Sequence, residues 1–256
     1  MELQTRSIDS NADSRSRDAC RFLLLRANDP RVLPIRQYIR DQFARHYGAR
    51  LQEFMPMQLA MVHNGEIKAA AGMRIADDEA LFLEHYLDRP CEQEIATYFD
   101  IAVPARHTVA EVGNLAATES GAARELFVHI AAVARREGLQ WLMCNATPRV
   151  QAILRFMNLP FAPIRKADCD RVPDPAAWGS YYDKPSRVMA APVSGIINAM
   201  LESDPFQLAV AECHARNAGR TAVPVLDPGA RVVRRPVPVE SSQSREPIPE
   251  TSHDPN

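Results

Sequence analysis

Glu111 and Asn114 lie three residues apart on a strand-like stretch, Thr108 to Ala116, where a carboxylate and an amide beside a cleft could act as a base and a hydrogen-bond donor. Partial burial would lift the carboxylate toward neutrality, so that it takes a proton from an attacking ammonium directly or through water. The amide could orient a substrate or meet the oxygen of a thioester carbonyl, as oxyanion stabilisers do. Each residue has a structural alternative. Glu111 could form a buried ion pair with Arg74 or Arg106, and Asn114 could satisfy backbone groups at a bulge beside Gly113.

Beyond Leu115-Ala116 the chain reads Ala117-Thr118-Glu119-Ser120-Gly121-Ala122-Ala123 and passes straight into a helix. Small residues at a helix N-terminus expose unpaired N–H groups at the positive end of the dipole, which makes an anion site fit for a pyrophosphate or a phosphopantetheine phosphate. The alternative is that Thr118 and Ser120 only cap the helix.

Further candidates are Glu84, His85 and an aromatic run, Trp178-Gly179-Ser180-Tyr181-Tyr182. If Leu81 to Leu87 is a short strand, Glu84 and His85 face opposite sides, so at most one of them reaches a given cleft directly. The two tyrosines could line an acyl or acceptor pocket, with one phenol serving as general acid, or simply pack. Cys144 sits in the apolar stretch Trp141-Leu142-Met143-Cys144 with no base beside it in sequence and reads as a buried structural thiol.

These residues need a frame. Val32, Ile35, Ile39 and Phe43 recur at helical spacing up to Gly48. Met57 to His63 and Glu66 to Ile75 flank Asn64-Gly65, the signature of a tight hairpin. Cys91 to Phe99 is a helix opened by Pro90, Ala122 to Glu137 a helix ended by Gly138, Leu139 to Ala146 a buried strand, and Thr147-Pro148 the start of a helix to about Met157. A final strand falls within Ser186 to Val193. The strand–helix–strand crossover must be parallel and the hairpin antiparallel, so the expected fold is α/β, a mixed twisted sheet with helices on both faces.

That frame occupies residues 20–200 of 256. Residues 1–19 are polar and charged and read as a flexible leader; residues 201–256 are rich in proline and read as a largely disordered tail. A formal charge of -2 offers no bulk field for nucleic acid, and no apolar run is long enough to span a membrane. Five scattered cysteines without a CxxC pair, no histidine cluster at metal-ligand spacing and no apolar signal-peptide core fit a cytoplasmic protein with reduced thiols and no metal.

The strand–loop–helix–strand pattern, with Thr118-x-x-Gly121-x-Ala123 in the loop, resembles the GCN5-related N-acetyltransferase superfamily. Ala152 to Phe161 resembles that superfamily's next helix, with Phe156 and Met157 where many members carry a proton-donating tyrosine. Gly72-Met73-Arg74, Leu81 to Asp88, Glu111 to Ala116 and Trp178 to Asp183 together resemble the thermostable hemolysin family across residues 20–200. That family's pattern is in turn similar to acyl-homoserine-lactone synthases. Arg74 and Glu111 match residues of their motifs; Asn114 replaces an arginine, and Gln52-Glu53-Phe54-Met55 lacks their paired aspartates.

The resemblance implies an N-acyltransferase moving an acyl group from acyl-CoA or the phosphopantetheine of an acyl-carrier protein to a small amine, to make an amphiphilic or signalling metabolite. Its catalytic residues would be Glu111, Asn114, Glu84 and Tyr181. Leu115, Ala116, Thr118, Gly121, Ala122 and Ala123 would bind the donor thioester, and Arg74, Tyr182 and Trp178 would bind substrate. Two other classes remain open: a membrane-active hemolysin using the face Leu126, Phe127, Ile130 and Val133, and a non-catalytic module that binds an acyl ligand or carrier protein.

Overall fold

The computed structural model describes residues 21–77, 79–118 and 120–202; the expected leader and almost all of the expected tail lie outside the described residues. A first strand, β1 (Arg21–Arg26), precedes helix α1 (Val32–Tyr47), whose buried Val32, Ile35, Ile39 and Phe43 form one apolar stripe. Gly48, at φ 66°, ends the helix by donating its N–H to Ala44 O. Strands β2 (Met57–His63) and β3 (Glu66–Ile75) are joined by Asn64-Gly65, both at positive φ as a tight hairpin requires.

Helix α2 (Cys91–Phe99) leads to β4 (Val109–Ala117), and α3 (Ser120–Arg136) crosses to β5 (Trp141–Ala146), which lies parallel to β4. Thr147 then accepts the Val150 N–H and, with Pro148 in the first turn, opens α4 (Pro148–Phe156). Strands β6 (Ala162–Lys166) and β7 (Arg187–Pro192) and helix α5 (Val193–Glu202) complete the described chain. The seven strands are ordered β1-β2-β3-β4-β5-β7-β6, mixed parallel and antiparallel.

Strand alternation feeds a core on each face. Leu59, Met61, Met73 and Val112 pack with α3 and α5, whereas Ala60, Ala70 and Ala116 pack under α1 and Val109 and Met143 pack near α2. The α3 stripe Leu126, Phe127, Ile130 and Val133 is buried in the first of these cores, so it faces protein. Among the described residues no helix is long and apolar enough to cross a membrane.

Some elements differ from the sequence reading. Helix α5 was not anticipated, and neither was β1, whose short apolar run is recruited by the free edge of β2. Leu81 to Leu87 is not a strand: Phe82–Tyr86 forms a 3-10 turn. β3 already has β2 on one side and β4 on the other, so the segment has no ladder to join, and the Glu84 carboxylate accepts the Leu81 N–H at 2.7 Å to stabilise the turn instead.

The feature that makes a site is where β4 and β5 part. Their pairing runs only from Val109↔Trp141 to Val112↔Cys144, although β4 continues to Ala117 and β5 to Ala146. Just past the last pair, Gly113 faces Gly72 across an irregular β3–β4 register, and Asn114 adopts φ 50°. This bulge bends β4 away from β5.

Candidate active site

A cavity of about 370 Å³ opens at this parting and reaches both faces of the sheet. Phe127 of α3 and Val150 of α4 line one end; Phe82, Trp178, Tyr181 and Glu111 line the other.

Glu111 stands directly opposite Arg74 on β3 and Met143 on β5, and is 3% exposed. Its Oε2 accepts the Leu83 N–H at 3.3 Å, and the Phe82 N–H also points to it. The first N–H groups of the 3-10 turn are thus spent on this carboxylate. Burial raises its pKa to about 7, with these N–H groups and the charge of Arg74 holding it from going higher. A carboxylate poised there exchanges protons at neutral pH.

Asn114 takes the structural role its sequence context allowed, and it also lines the cavity. Its Oδ1 accepts the Met55 N–H at 3.4 Å, tying the bulge to the segment before β2; among the described residues its Nδ2 has no protein partner, and the residue lines the cavity.

Trp178 and Tyr181 belong to a 3-10 segment, Pro175–Tyr182, kinked at Gly179 (φ 53°, ψ -128°). A Cβ there would meet Tyr47 O at 2.1 Å, so only glycine permits this approach to α1. Ser180 Oγ donates to Tyr47 O and Arg50 N–H to Ala177 O, fixing the segment. The Tyr181 ring is packed by Phe43, Tyr47 and Trp178, while among the described residues its hydroxyl has no hydrogen-bond partner. Burial pushes its pKa up, so it is a protonated phenol at neutral pH.

Tyr182 does not line the cavity. Its hydroxyl is hydrogen-bonded to that of Tyr86, which accepts from Asn145 Nδ2 at 3.4 Å; burial raises the Tyr182 pKa to about 12. Tyr86 and Asn145, the other members of this chain of hydrogen bonds, line the cavity instead.

Glu84 is likewise turned away. It bonds Arg106 at 2.8 Å and accepts the Cys91 N–H at 2.7 Å, and Arg106 also bridges Glu92 at 2.8 Å. Burial opposes its charge, but the Arg106 guanidinium and the two backbone donors outweigh that and lower its pKa. Glu84, Cys91 and Glu92 bring ligand-type atoms together, but the guanidinium sits among them. This is an ion-pair network that holds the 3-10 turn.

Of the expected donor residues, Leu115 lines the cavity and Ala116, Thr118, Gly121, Ala122 and Ala123 do not. Thr118 spends both its N–H (3.0 Å) and its hydroxyl (3.1 Å) on Lys68 O of β3, which clamps the end of β4 rather than capping α3. Ala122 and Ala123 are buried. Arg74 lines the cavity, with Glu79 at 3.4 Å. Phe156, where the tyrosine of many superfamily members would stand, is 67% exposed under Arg124 and offers no proton.

Cys144, buried with its pKa raised to about 12, and Met55 also line the cavity. The signal for Asn145 was in the sequence: two residues beyond Met143, the partner of Glu111, it must share that face. Nothing in the sequence placed Met55 there.

The seven-strand mixed sheet that parts between two parallel strands is a fold this chain shares with solved acyl-transferring synthases. The AHL synthase LasI shares it, with a TM-score of 0.52 at 10% identity over 71% of this chain and 94% of that one. FeeM, an N-acyl amino acid synthase from uncultured soil microbes, gives 0.48 at 15% identity over 69% and 98%, and BjaI, a CoA-dependent acyl-homoserine lactone synthase, 0.48 at 9% over 82% and 96%. A search of curated proteins finds no matching sequence. The thermostable hemolysin family model matches residues 25–196, and the chain belongs to that family.

Proposed function

We propose that the protein is an N-acyltransferase that moves an acyl group from an acyl thioester, acyl-CoA or acyl-carrier protein, to a small amine. One observation carries this reading: Glu111, raised to about 7, faces the same cavity as Tyr181 and Asn114 where β4 and β5 part. The thioester lies in the gap. Its phosphate-bearing end goes to the turn from Leu115 and Ala116 through Thr118 to Gly121, Ala122 and Ala123, whose helix terminus favours an anion. The acceptor enters among Glu111, Arg74 and Trp178.

Glu111 takes one proton from the ammonium. The freed lone pair attacks the thioester carbon, the C–N bond forms, and the carbonyl oxygen becomes an oxyanion facing Asn114 Nδ2. Collapse breaks the C–S bond. Tyr181 gives its proton to the leaving sulfur and recovers one from the nitrogen, so the products are an amide and a free thiol, with the first proton released from Glu111 to solvent. Purified protein incubated with short- and long-chain acyl-CoA and acyl-carrier protein, each with a panel of amines and amino acids, releases free thiol in at least one pairing. Absence of both turnover and thioester binding across the panel contradicts the proposal.

A further inference from the structure

Gly72 and Gly113 face each other across β3 and β4, and together they leave a hollow that one side chain fills. A Cβ on Gly72 would lie 2.8 Å from Met55 Cβ, and one on Gly113 would lie 2.5 Å from Met55 Cε. The same point above Gly113 is 3.9 Å from Glu111 Oε1, so the Met55 methyl and the carboxylate border the same small space over Gly113. Met55 is 8% exposed, lines the cavity, and is anchored through its N–H to Asn114 Oδ1.

An amine that gives its proton to Glu111 must bring its nitrogen, and the carbon bearing it, into this space. Met55 presents an unbranched, flexible thioether to that space. We propose that Met55 is the specificity-determining residue for the acceptor: seated in the Gly72–Gly113 hollow, it walls the amine site so that the site takes a primary amine on an unbranched carbon. The inference rests on the acyl-transfer reading and deepens it.

The two sides of the hollow make opposite predictions. Met55→Ala removes the wall and admits branching next to nitrogen; Met55→Val removes less and gives an intermediate shift. Gly113→Ala fills the hollow and drives the methyl toward Glu111, narrowing the site. The double variant Met55→Ala/Gly113→Ala restores part of the lost room.

The experiment measures thiol release from decanoyl-CoA by the full chain and these four variants with n-propylamine, isopropylamine, cyclohexylamine, glycine and valine as acceptors, alongside calorimetric titration of the same amines. Circular dichroism of each variant establishes folding. The expected result is about a tenfold change in branched-over-unbranched kcat/KM in Met55→Ala, of the size that one methylene makes in a pocket. Gly113→Ala should move it the opposite way, with the double variant between. Turnover by the wild type with the same selectivity in every folded variant overturns the inference and leaves acyl transfer standing. Neither turnover nor amine binding by the wild type brings both down.

Discussion

Arg74 and Glu111 face each other across the β3–β4 ladder, yet the carboxylate takes its hydrogen bonds from backbone, with Leu83 N–H at 3.3 Å, while Arg74 lies 3.4 Å from Glu79. A buried carboxylate without a paired cation keeps its proton to near-neutral pH, and the ion pair with Arg74 that the sequence left open is not formed.

The first prediction concerns stability. The carboxylate's pKa rises from its ordinary 4.5 to about 7 on folding, so between those values the folded chain holds a proton the unfolded chain has lost. The contribution is therefore fully present below about pH 4.5 and is lost as pH rises through 7. Glu111→Gln, which cannot ionise, stabilises the protein above pH 7 by up to about 3 kcal/mol and has little effect below pH 4.5. Urea unfolding at pH 4.5 and 8 reads the difference; an equal effect at both pH values contradicts it.

A second prediction separates the phenols. Tyr181→Phe keeps the ring packing against Phe43, Tyr47 and Trp178 and removes only the free hydroxyl. It lowers kcat by about 10²- to 10⁴-fold with thermal stability nearly unchanged. Tyr86→Phe instead breaks a buried hydrogen-bond chain to Tyr182 and Asn145 and costs about 1 kcal/mol of stability. Steady-state kinetics with thermal melts checks both, and a kcat unaffected in Tyr181→Phe removes that residue from the chemistry.

Much of the frame was legible in the sequence because the signals were local. The Asn64-Gly65 turn, the Pro148 helix start and the 3.6-residue spacing of Val32, Ile35, Ile39 and Phe43 depend on nearest neighbours and were read correctly. β1 and the 3-10 turn were missed because they depend on which sheet edge is free, a long-range property. Of the expected site residues, Glu111 and Asn114 line the cavity, whereas the position of Glu84 was misjudged because strand alternation was assumed where a capped turn forms. Met55 and Tyr86 carry no pattern of their own; loops bring them to the cavity.

The third prediction follows from that correction. Glu84→Gln weakens the pair with Arg106 and leaves the guanidinium to Glu92, so it destabilises the fold by about 1–3 kcal/mol. Activity should fall only as the folded fraction does. Chemical denaturation beside kinetics at low temperature tests this; a kcat loss in fully folded protein returns Glu84 to the chemistry.

The most direct test of the account is the pH dependence of kcat/KM for thiol release from an acyl-CoA, in the wild type and in Glu111→Gln, with acyl-CoA binding measured in parallel. If Glu111 is the base, wild-type kcat/KM rises with pH through about 7 and levels off, and Glu111→Gln loses the step and about 10²- to 10⁴-fold of the plateau while binding acyl-CoA as before. An unchanged profile in Glu111→Gln contradicts it.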